Sequence, residues 1–167
     1  SQISAARVRG FQGEDLSSPN TIAACAKHFA AYGFAEAGRE YNTVDISKHT
    51  LHNVVLPPFK ACVDAGVASV MNAFNEIGGV PATGSSYLQR DILKGAWGFD
   101  GLVVSDWATI AELVVHGAAK DDKEAALLAV KAGSDLDMEG YCYQKHLEDL
   151  VKEGKVDEAL IDDAAAR

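Results

Sequence analysis

The sequence has few cysteines and no arrangement that would use them together. Its three cysteines, Cys25, Cys62 and Cys142, are far apart, odd in number and without a C-x-x-C spacing. This excludes the usual zinc-site and disulfide-framework patterns, and no metal or other cofactor is expected. We predict that the three thiols are free and buried.

Positive charge is also scarce. Fifteen Lys and Arg residues face 24 Asp and Glu residues, which gives a formal charge of −9. Because binding to nucleic acid needs a basic surface, nucleic acid is not an expected partner. No run of about eighteen apolar residues is present, so no membrane span is predicted. The opening residues SQISAARVRG lack the hydrophobic segment of a signal peptide. No glycine-rich loop opens a helix after a strand, which disfavours a phosphate-binding barrel enzyme.

What is present is the composition of a globular domain, with 48% hydrophobic and 23% charged residues in 167. Short apolar runs alternate with longer segments of helical spacing. The predicted strands are 23–29, 67–74, 101–106 and 134–138. The predicted helices are 48–66, 87–97, 109–117, 121–133, 142–153 and 157–167. This order predicts an α/β fold of parallel βα units.

Four such strands fit either a small doubly wound sheet or about half of a (β/α)8 TIM-like barrel. A half barrel would leave two sheet edges bare, and the last helix runs to Arg167 without a stop signal. Both features favour a fragment of a larger chain. Pro57 and Pro58 are expected to kink the helix over 48–66. Three pairs are predicted to mark helix ends: Ser86 with Gln89, Thr109 with Glu112, and Asp121 with Gly133.

The stretch GLVVSDWAT raises a question, because an apolar strand ends on the carboxylate of Asp106. Parallel α/β folds place their active sites at the carboxyl ends of strands. Asp106 could equally cap the helix that follows. Thr109 is the better-placed cap, which favours a functional Asp106.

Other polar residues give weaker signals. Lys27 and His28 also end a predicted strand, but a buried His beside a solvated Lys would be ordinary. Arg39 and Tyr41 lie on the loop that follows. Asp135 and Asp137 lie on the last predicted strand, where helix capping or support of the site is expected. His52, His116 and His146 have no companions at metal spacing and are interpreted as helix-surface residues.

Longer stretches resemble a known family. AKHFAAYG, EYNTVDIS, VMNAFNEIGGVPATGSSYLQRDILKGAWGFDGLVVSDW and AGSDLDM occur in this order. Together they resemble bacterial β-glucosidase-like members of glycoside hydrolase family 3. The resemblance implies that residues 1–167 are the second half of the family's N-terminal catalytic barrel domain. The rest of the barrel and a following α/β sandwich domain would be its partners, or the fragment would self-associate to cover its edges.

The resemblance also implies a chemistry. Asp106 matches the family's catalytic nucleophile, and Lys27 and His28 match a pair that binds sugar hydroxyls. Trp107 could form an apolar wall for a sugar, and Arg39 and Tyr41 could reach the sugar or a partner. The implied reaction is retaining hydrolysis of terminal β-D-glycosidic bonds in an oligosaccharide or aryl β-glycoside.

Several further expectations come from the same resemblance. The acid/base Glu would come from the following domain, so the isolated fragment would be inactive or nearly so. A periplasmic or secreted location is favoured over a cytoplasmic one. A cis peptide bond that does not precede a proline is expected at Lys27–His28 or His28–Phe29. The alternative function is a non-catalytic half barrel that binds sugar or serves only as structure.

One departure from the family concerns Phe74. Many members carry at this position a Tyr whose hydroxyl donates to the nucleophile, so Asp106 loses one donor here. Asn72 or Asn75 could supply a substitute donor. The stretch AAYGFAEAG also lacks the His- and Gly-rich loop of the N-acetylglucosaminide-cleaving branch, which favours the glucosidase and xylosidase branch.

Overall fold

The computed structural model describes residues 1–167, and its sheet is parallel as predicted. Strands β1 (Cys25–Phe29), β3 (Ser69–Asn72) and β6 (Leu102–Val104) form one sheet in the order β1-β3-β6. The predicted fourth strand is reduced to a single parallel bridge between Val104 and Leu136. The α/β prediction of parallel βα units is confirmed.

A second, smaller sheet was not predicted. It contains β2 (Thr43–Val44), β4 (Glu76–Ile77) and β5 (Val80–Pro81), and its strands are only two residues long. The stretch NEIGGVPATG lies between the predicted strand 67–74 and the predicted helix 87–97. It forms a hairpin, because Gly78 and Gly79 adopt positive φ angles of 58° and 83° between β4 and β5.

The helices follow the predicted order with irregular interiors. The first helix, α1 (Gln2–Gln12), was not predicted. The segment over 48–66 divides into α2 (Lys48–Thr50), a π-helical stretch (Leu51–Val55) and α3 (Leu56–Asp64). Its irregularity therefore lies just before Pro57 and Pro58. These prolines fall in the first turn of α3, where their missing N–H groups are not needed.

The remaining helices fit their predicted positions. A π-helix covers Tyr87–Ala96, and the later helices are α4 (Glu112–Val115), α5 (Asp122–Ala132), α6 (Cys142–Lys152) and α7 (Glu158–Ala166). Asp121 caps α5 by accepting the N–H of Glu124, and Gly133 ends it with φ 110°, as predicted. None of these helices combines the length and apolar character needed to cross a bilayer.

Both predicted capping boxes are wrong. Ser86 makes no side-chain cap bond; the neighbouring Ser85 hydroxyl accepts the N–H of Leu88 instead. Gln89 is fully buried, and its amide donates to the carbonyls of Ala82 and Thr83. Burial on the inner face of the helix thus overrides the local capping pattern.

The Thr109 and Glu112 pair also fails as a box. Helix α4 begins only at Glu112, and no side chain caps it. The Thr109 hydroxyl instead donates to the backbone oxygen of Asp106 at 3.2 Å. Thr109 therefore secures the end of β6, and its side chain does not serve α4.

The starts of the strands are held by one buried amide. The Gln12 side chain at the end of α1 accepts the N–H groups of Ala24 and Ala68 at 3.0 and 2.9 Å, and donates to the Gly66 oxygen at 2.8 Å. This arrangement joins α1 to the segments that lead into β1 and β3. It fixes the amino-terminal ends of these two strands relative to each other.

The cysteine prediction is wrong at one position. All three thiols are free, and Cys62 and Cys142 are buried, but Cys25 is exposed. Cys25 opens β1, which is an edge strand of the sheet. Alternate side chains of β1 face opposite sides, so Ala26 is buried while its neighbour Cys25 is not.

Candidate active site

The carboxyl ends of β1 and β6 bring two predicted site residues together. His28 lies near the end of β1, and Asp106 follows β6 by two residues, with β3 between the strands. The His28 Nε2 atom is 3.2 Å from Asp106 Oδ2. Peptide bonds Lys27–His28 and Phe29–Ala30 are cis. The expected cis bond is confirmed at Lys27–His28, the first of its two alternative positions, and the one at Phe29–Ala30 was not expected.

The backbone of Asp106 is firmly anchored. Its carbonyl oxygen accepts from the hydroxyl of Ser105 at 2.9 Å and from the hydroxyl of Thr109 at 3.2 Å. The Ser105 hydroxyl also accepts the N–H of Met138 at 2.8 Å, which ties the strand end to the neighbouring segment. The backbone that carries the Asp106 side chain is therefore held by buried hydroxyl groups.

The two carboxylate oxygens of Asp106 have different surroundings. Oδ1 accepts the backbone N–H of Trp107 at 2.7 Å. Oδ2 is buried and accepts no hydrogen bond, since the nearby His28 ring nitrogen is not aligned to donate to it. Oδ1 does not reach α4, so Asp106 is not a helix cap. The arrangement leaves one oxygen held by a backbone donor and one without any hydrogen-bond donor.

The imidazole beside Asp106 is kept neutral by its surroundings. Burial lowers the pKa of His28 below its ordinary value, while the Asp106 carboxylate opposes this and the Lys27 charge reinforces it. A neutral imidazole keeps one N–H donor and one acceptor, which suits it to sugar hydroxyls.

The side chains of the other predicted residues form no hydrogen bond or ion pair with Asp106. Lys27 is exposed, makes no ion pair, and has its Nζ 4.0 Å from the sulfur of Met71. Trp107 is 61% exposed. Arg39 is exposed and borders a separate surface depression together with Tyr32 and Glu40. The structure thus joins His28 to Asp106, while Lys27, Trp107 and Arg39 are exposed.

Aromatic rings form a continuous wall beside His28. The Tyr32 ring packs on His28 with centroids 5.0 Å apart, and Phe74 packs on Tyr32 at 5.9 Å and on Tyr41 at 4.6 Å. Burial, followed by the nearby Glu40 carboxylate, raises the pKa of Tyr32 to about 12. Tyr41 therefore belongs to an aromatic cluster, with 44% of its surface exposed at the rim.

Neither asparagine replaces the hydroxyl that Phe74 lacks. The Asn72 amide donates to the Ser134 hydroxyl at 2.8 Å, and the Asn75 amide donates to the Ala30 oxygen at 3.2 Å. Both side chains are fully buried and serve the packing between strands and helices. The suggested substitution is wrong because these amides are already used.

The two later aspartates have structural roles, as expected. Asp135 forms a buried ion pair with Lys94 and accepts the N–H of Val103 at 2.8 Å. Asp137 accepts the N–H groups of Gly140 and Tyr143, which caps the start of α6. Both carboxylates are occupied by protein donors.

The sequence analysis did not anticipate the surroundings of Glu112. It assigned Glu112 to a capping box, whereas its Oε2 atom is buried and has no hydrogen-bond partner. Burial raises the pKa of Glu112, and the Asp106 charge adds to the effect. Glu112 lies six residues after Asp106, and this spacing matches no sequence pattern that would have indicated a buried carboxyl group.

Comparison with known proteins identifies the family. The model of the glycosyl hydrolase family 3 N terminal domain matches residues 1–167. The chain belongs to glycosyl hydrolase family 3. Its similarity to individual members of the family is consistent along almost the whole chain.

Three members illustrate this similarity. The chain is 46% identical over 157 residues to a periplasmic beta-glucosidase of Salmonella typhimurium, covering 94% of the chain and 20% of that protein. It is 39% identical to a beta-xylosidase of Formosa agariphila, covering 83% and 20%. It matches the structure of beta-glucosidase from Listeria innocua in complex with isofagomine with a TM-score of 0.96 and 47% identity, covering 98% and 23%. The chain therefore spans about a fifth of the length of these relatives.

Proposed function

We propose that the full-length protein containing this chain is a retaining β-glycosidase that cleaves terminal β-D-glycosidic bonds, with Asp106 as its nucleophile. The observation that carries the proposal is the asymmetry of the Asp106 carboxylate. One oxygen is held by the Trp107 N–H, while the other is free of hydrogen bonds beside His28. Relatives named as β-glucosidases and β-xylosidases support the class of reaction.

The chemistry would proceed by double displacement. Asp106 Oδ2 attacks the anomeric carbon and forms an ester as the bond to the leaving oxygen breaks. A carboxylic acid from another part of the protein gives its proton to that oxygen. Water then attacks the same carbon, the ester bond breaks, and the water's proton returns to the second carboxylate.

The neighbours of Asp106 would divide the remaining work. His28 and Lys27 would bind hydroxyls of the sugar that is cleaved off, and Trp107 would pack against a sugar face at the rim. Arg39 and Tyr41 lie further out and would contact a longer substrate or another part of the protein. The substrate would be an oligosaccharide or an aryl β-glycoside.

The same proposal assigns a place to the chain in the whole protein. Residues 1–167 would be the second half of the barrel, completed by the remaining strands and followed by a domain that carries the acid/base. The isolated chain would then be inactive or nearly so, because general acid catalysis alone contributes about 10²–10⁴-fold. The name of the Salmonella relative supports a periplasmic location.

Kinetics of the full-length protein test the role of Asp106. We expect hydrolysis of 4-nitrophenyl β-D-glucoside or β-D-xyloside, and a fall in kcat of about a thousand-fold or more in Asp106→Asn. Asp100→Asn is the matched control, because Asp100 is exposed and lies outside the site.

A second variant identifies the nucleophile by its product. In Asp106→Ala the lost carboxylate leaves room for azide, which would attack the anomeric carbon and displace nitrophenolate. The product should be the α-glycosyl azide, formed with inversion. Normal turnover by Asp106→Asn, or a β-glycosyl azide from Asp106→Ala, would contradict the proposal.

A further inference from the structure

The backbone oxygen of Asp106 receives three hydrogen bonds from residues next to it in the chain. The hydroxyls of Ser105 and Thr109 donate to it at 2.9 and 3.2 Å, and the N–H of Thr109 donates at 3.2 Å. Both hydroxyl residues are buried. A carbonyl oxygen has two lone pairs, so every acceptor position of this one is used. Strand β6 ends at Val104, so the hydroxyls hold a residue that lies beyond the sheet.

The turn from Asp106 to Thr109 is held in a conformation that its sequence does not favour. Ala108 has a φ of 57°, in the left-handed region that favours glycine. Its N–H donates to the Met138 oxygen at 2.8 Å, and the Ser105 hydroxyl accepts the N–H of Met138 at 2.8 Å. A residue other than glycine persists in this region only where its surroundings enforce it, and such residues cluster at functional sites.

The conformation of this turn decides where the Asp106 carboxylate points. The second residue of the turn, Trp107, donates its N–H to Asp106 Oδ1 at 2.7 Å. Oδ1 therefore follows the backbone of the turn, and Oδ2, which is bonded to the same carbon, is oriented with it. Oδ2 lies 3.2 Å from His28 Nε2 and accepts no hydrogen bond, so no donor of the chain orients it directly.

We propose that the hydroxyls of Ser105 and Thr109 position the nucleophile by holding the turn that orients the Asp106 carboxylate. They are positioning residues, because both hydroxyls donate to the backbone oxygen and neither donates to the carboxylate. The inference rests on the proposed function, in which Asp106 Oδ2 attacks the anomeric carbon. A misplacement of about 1 Å can slow such an attack by about 100-fold. Loss of one hydroxyl should therefore slow the attack without changing how the substrate binds.

Covalent trapping measures this attack apart from the rest of turnover. With 2,4-dinitrophenyl 2-deoxy-2-fluoro-β-D-glucoside, Asp106 Oδ2 bonds to the anomeric carbon, and dinitrophenolate leaves with the electron pair of the broken bond. The corresponding xyloside is used if the enzyme prefers xylosides. Because dinitrophenolate leaves without a proton, the trapping rate does not depend on the general acid. Varying the inhibitor concentration separates the rate constant of the attack from the dissociation constant of the inhibitor.

Thr109→Val removes the hydroxyl and keeps the branched shape of the side chain. In the full-length protein it should lower the rate constant of trapping about tenfold and change the dissociation constant by less than about threefold. Thr109→Ser keeps the hydroxyl, so it should recover most of the rate. Ser105→Ala removes the other hydroxyl and should also slow the attack. It provides the same test if Thr109→Val does not fold.

Ser69→Ala is the matched control. The Ser69 hydroxyl also donates to a backbone oxygen, that of Ala24, at 3.2 Å. Ser69 opens β3, and Ala24 precedes β1, so this bond lies at the amino-terminal ends of the strands, away from the site. The control removes a bond of the same kind from the same sheet, and it should leave the rate constant of trapping unchanged.

The outcomes separate this inference from the function on which it rests. If the wild type cleaves glycosides but is not trapped on Asp106, the proposed function is overturned, and the inference with it. If the wild type is trapped on Asp106 and the Thr109→Val and Ser105→Ala variants are trapped as fast, only the inference is overturned. It is also overturned if Thr109→Ser is as slow as Thr109→Val, or if Ser69→Ala is slowed equally.

Discussion

Replacing Lys94 by Met should destabilise the protein far more than an ordinary lysine substitution. Lys94 and Asp135 form an ion pair whose side chains are only 7% and 2% exposed. Asp135 also accepts the N–H of Val103 at 2.8 Å, which links the pair to β6. The substitution leaves a buried carboxylate with one backbone donor in place of two partners.

The size of the effect follows from the burial. Breaking a buried ion pair by removing one partner costs about 3–5 kcal/mol, because the remaining charge stays desolvated. Burial lowers the pKa of Lys94 in spite of the attraction of Asp135, so desolvation outweighs the pairing. Removing both charges should therefore cost little. In Lys94→Met with Asp135→Asn, the Asn oxygen still accepts the Val103 N–H, and stability should stay within about 1 kcal/mol of the wild type.

Urea unfolding of the full-length protein, followed by tryptophan fluorescence, measures these differences. Lys60→Met is the matched control, because the Lys60–Asp64 pair is exposed and should contribute less than about 1 kcal/mol. The reasoning is refuted if Lys94→Met shifts the midpoint no more than Lys60→Met does. It is also refuted if the double variant is as unstable as Lys94→Met alone.

Three further predictions concern the site and the frame around it. By NMR, His28 should titrate below its ordinary pKa of 6.5, and lower still in Asp106→Asn, since the carboxylate that opposes the shift is gone; a rise would contradict this. Because the depressed pKa means that the unfolded chain binds this proton more readily, the contribution of His28 to the free energy of unfolding is complete above about pH 6.5 and is lost as the pH falls. Asp121→Ala should lower stability by about 1 kcal/mol through loss of its cap bond, and Asp122→Ala by clearly less; equal effects would rule the cap out. Gly101→Ala should impair folding, because its Cβ would lie 2.3 Å from a backbone oxygen, and a normal yield of folded protein would show that this clash is relieved.

The parts of the fold that follow from local pattern were predictable. Apolar runs over β1, β3 and β6 gave the parallel sheet, and Asp121 and Gly133 marked the ends of α5. The small sheet was not predictable in the same way. Its strands are too short to show any alternation of side chains, and they exist because tertiary packing pairs them.

The site was predictable only in part, for a physical reason. The position of Asp106 after a buried strand indicated a functional carboxylate, and family resemblance added His28. Which atoms have partners depends on three-dimensional neighbours that no spacing encodes. Thr109 and Glu112 fit a capping pattern, yet neither caps a helix. The Thr109 hydroxyl donates to the backbone oxygen of Asp106, and the Oε2 atom of Glu112 has no hydrogen-bond partner.

Mass spectrometry of the trapped enzyme tests the central role of Asp106 most directly. The full-length protein would be incubated with a 2-deoxy-2-fluoro β-glucoside bearing an activated leaving group, then digested with a protease. The electron-withdrawing fluorine slows both chemical steps, and the good leaving group still allows the first, so the glycosyl-enzyme accumulates. We predict one fluoroglucosyl group on the peptide that carries Asp106, and on Asp106 itself. A label on Glu112 or another carboxylate, or no label on an enzyme that turns over glucosides, would contradict the assignment.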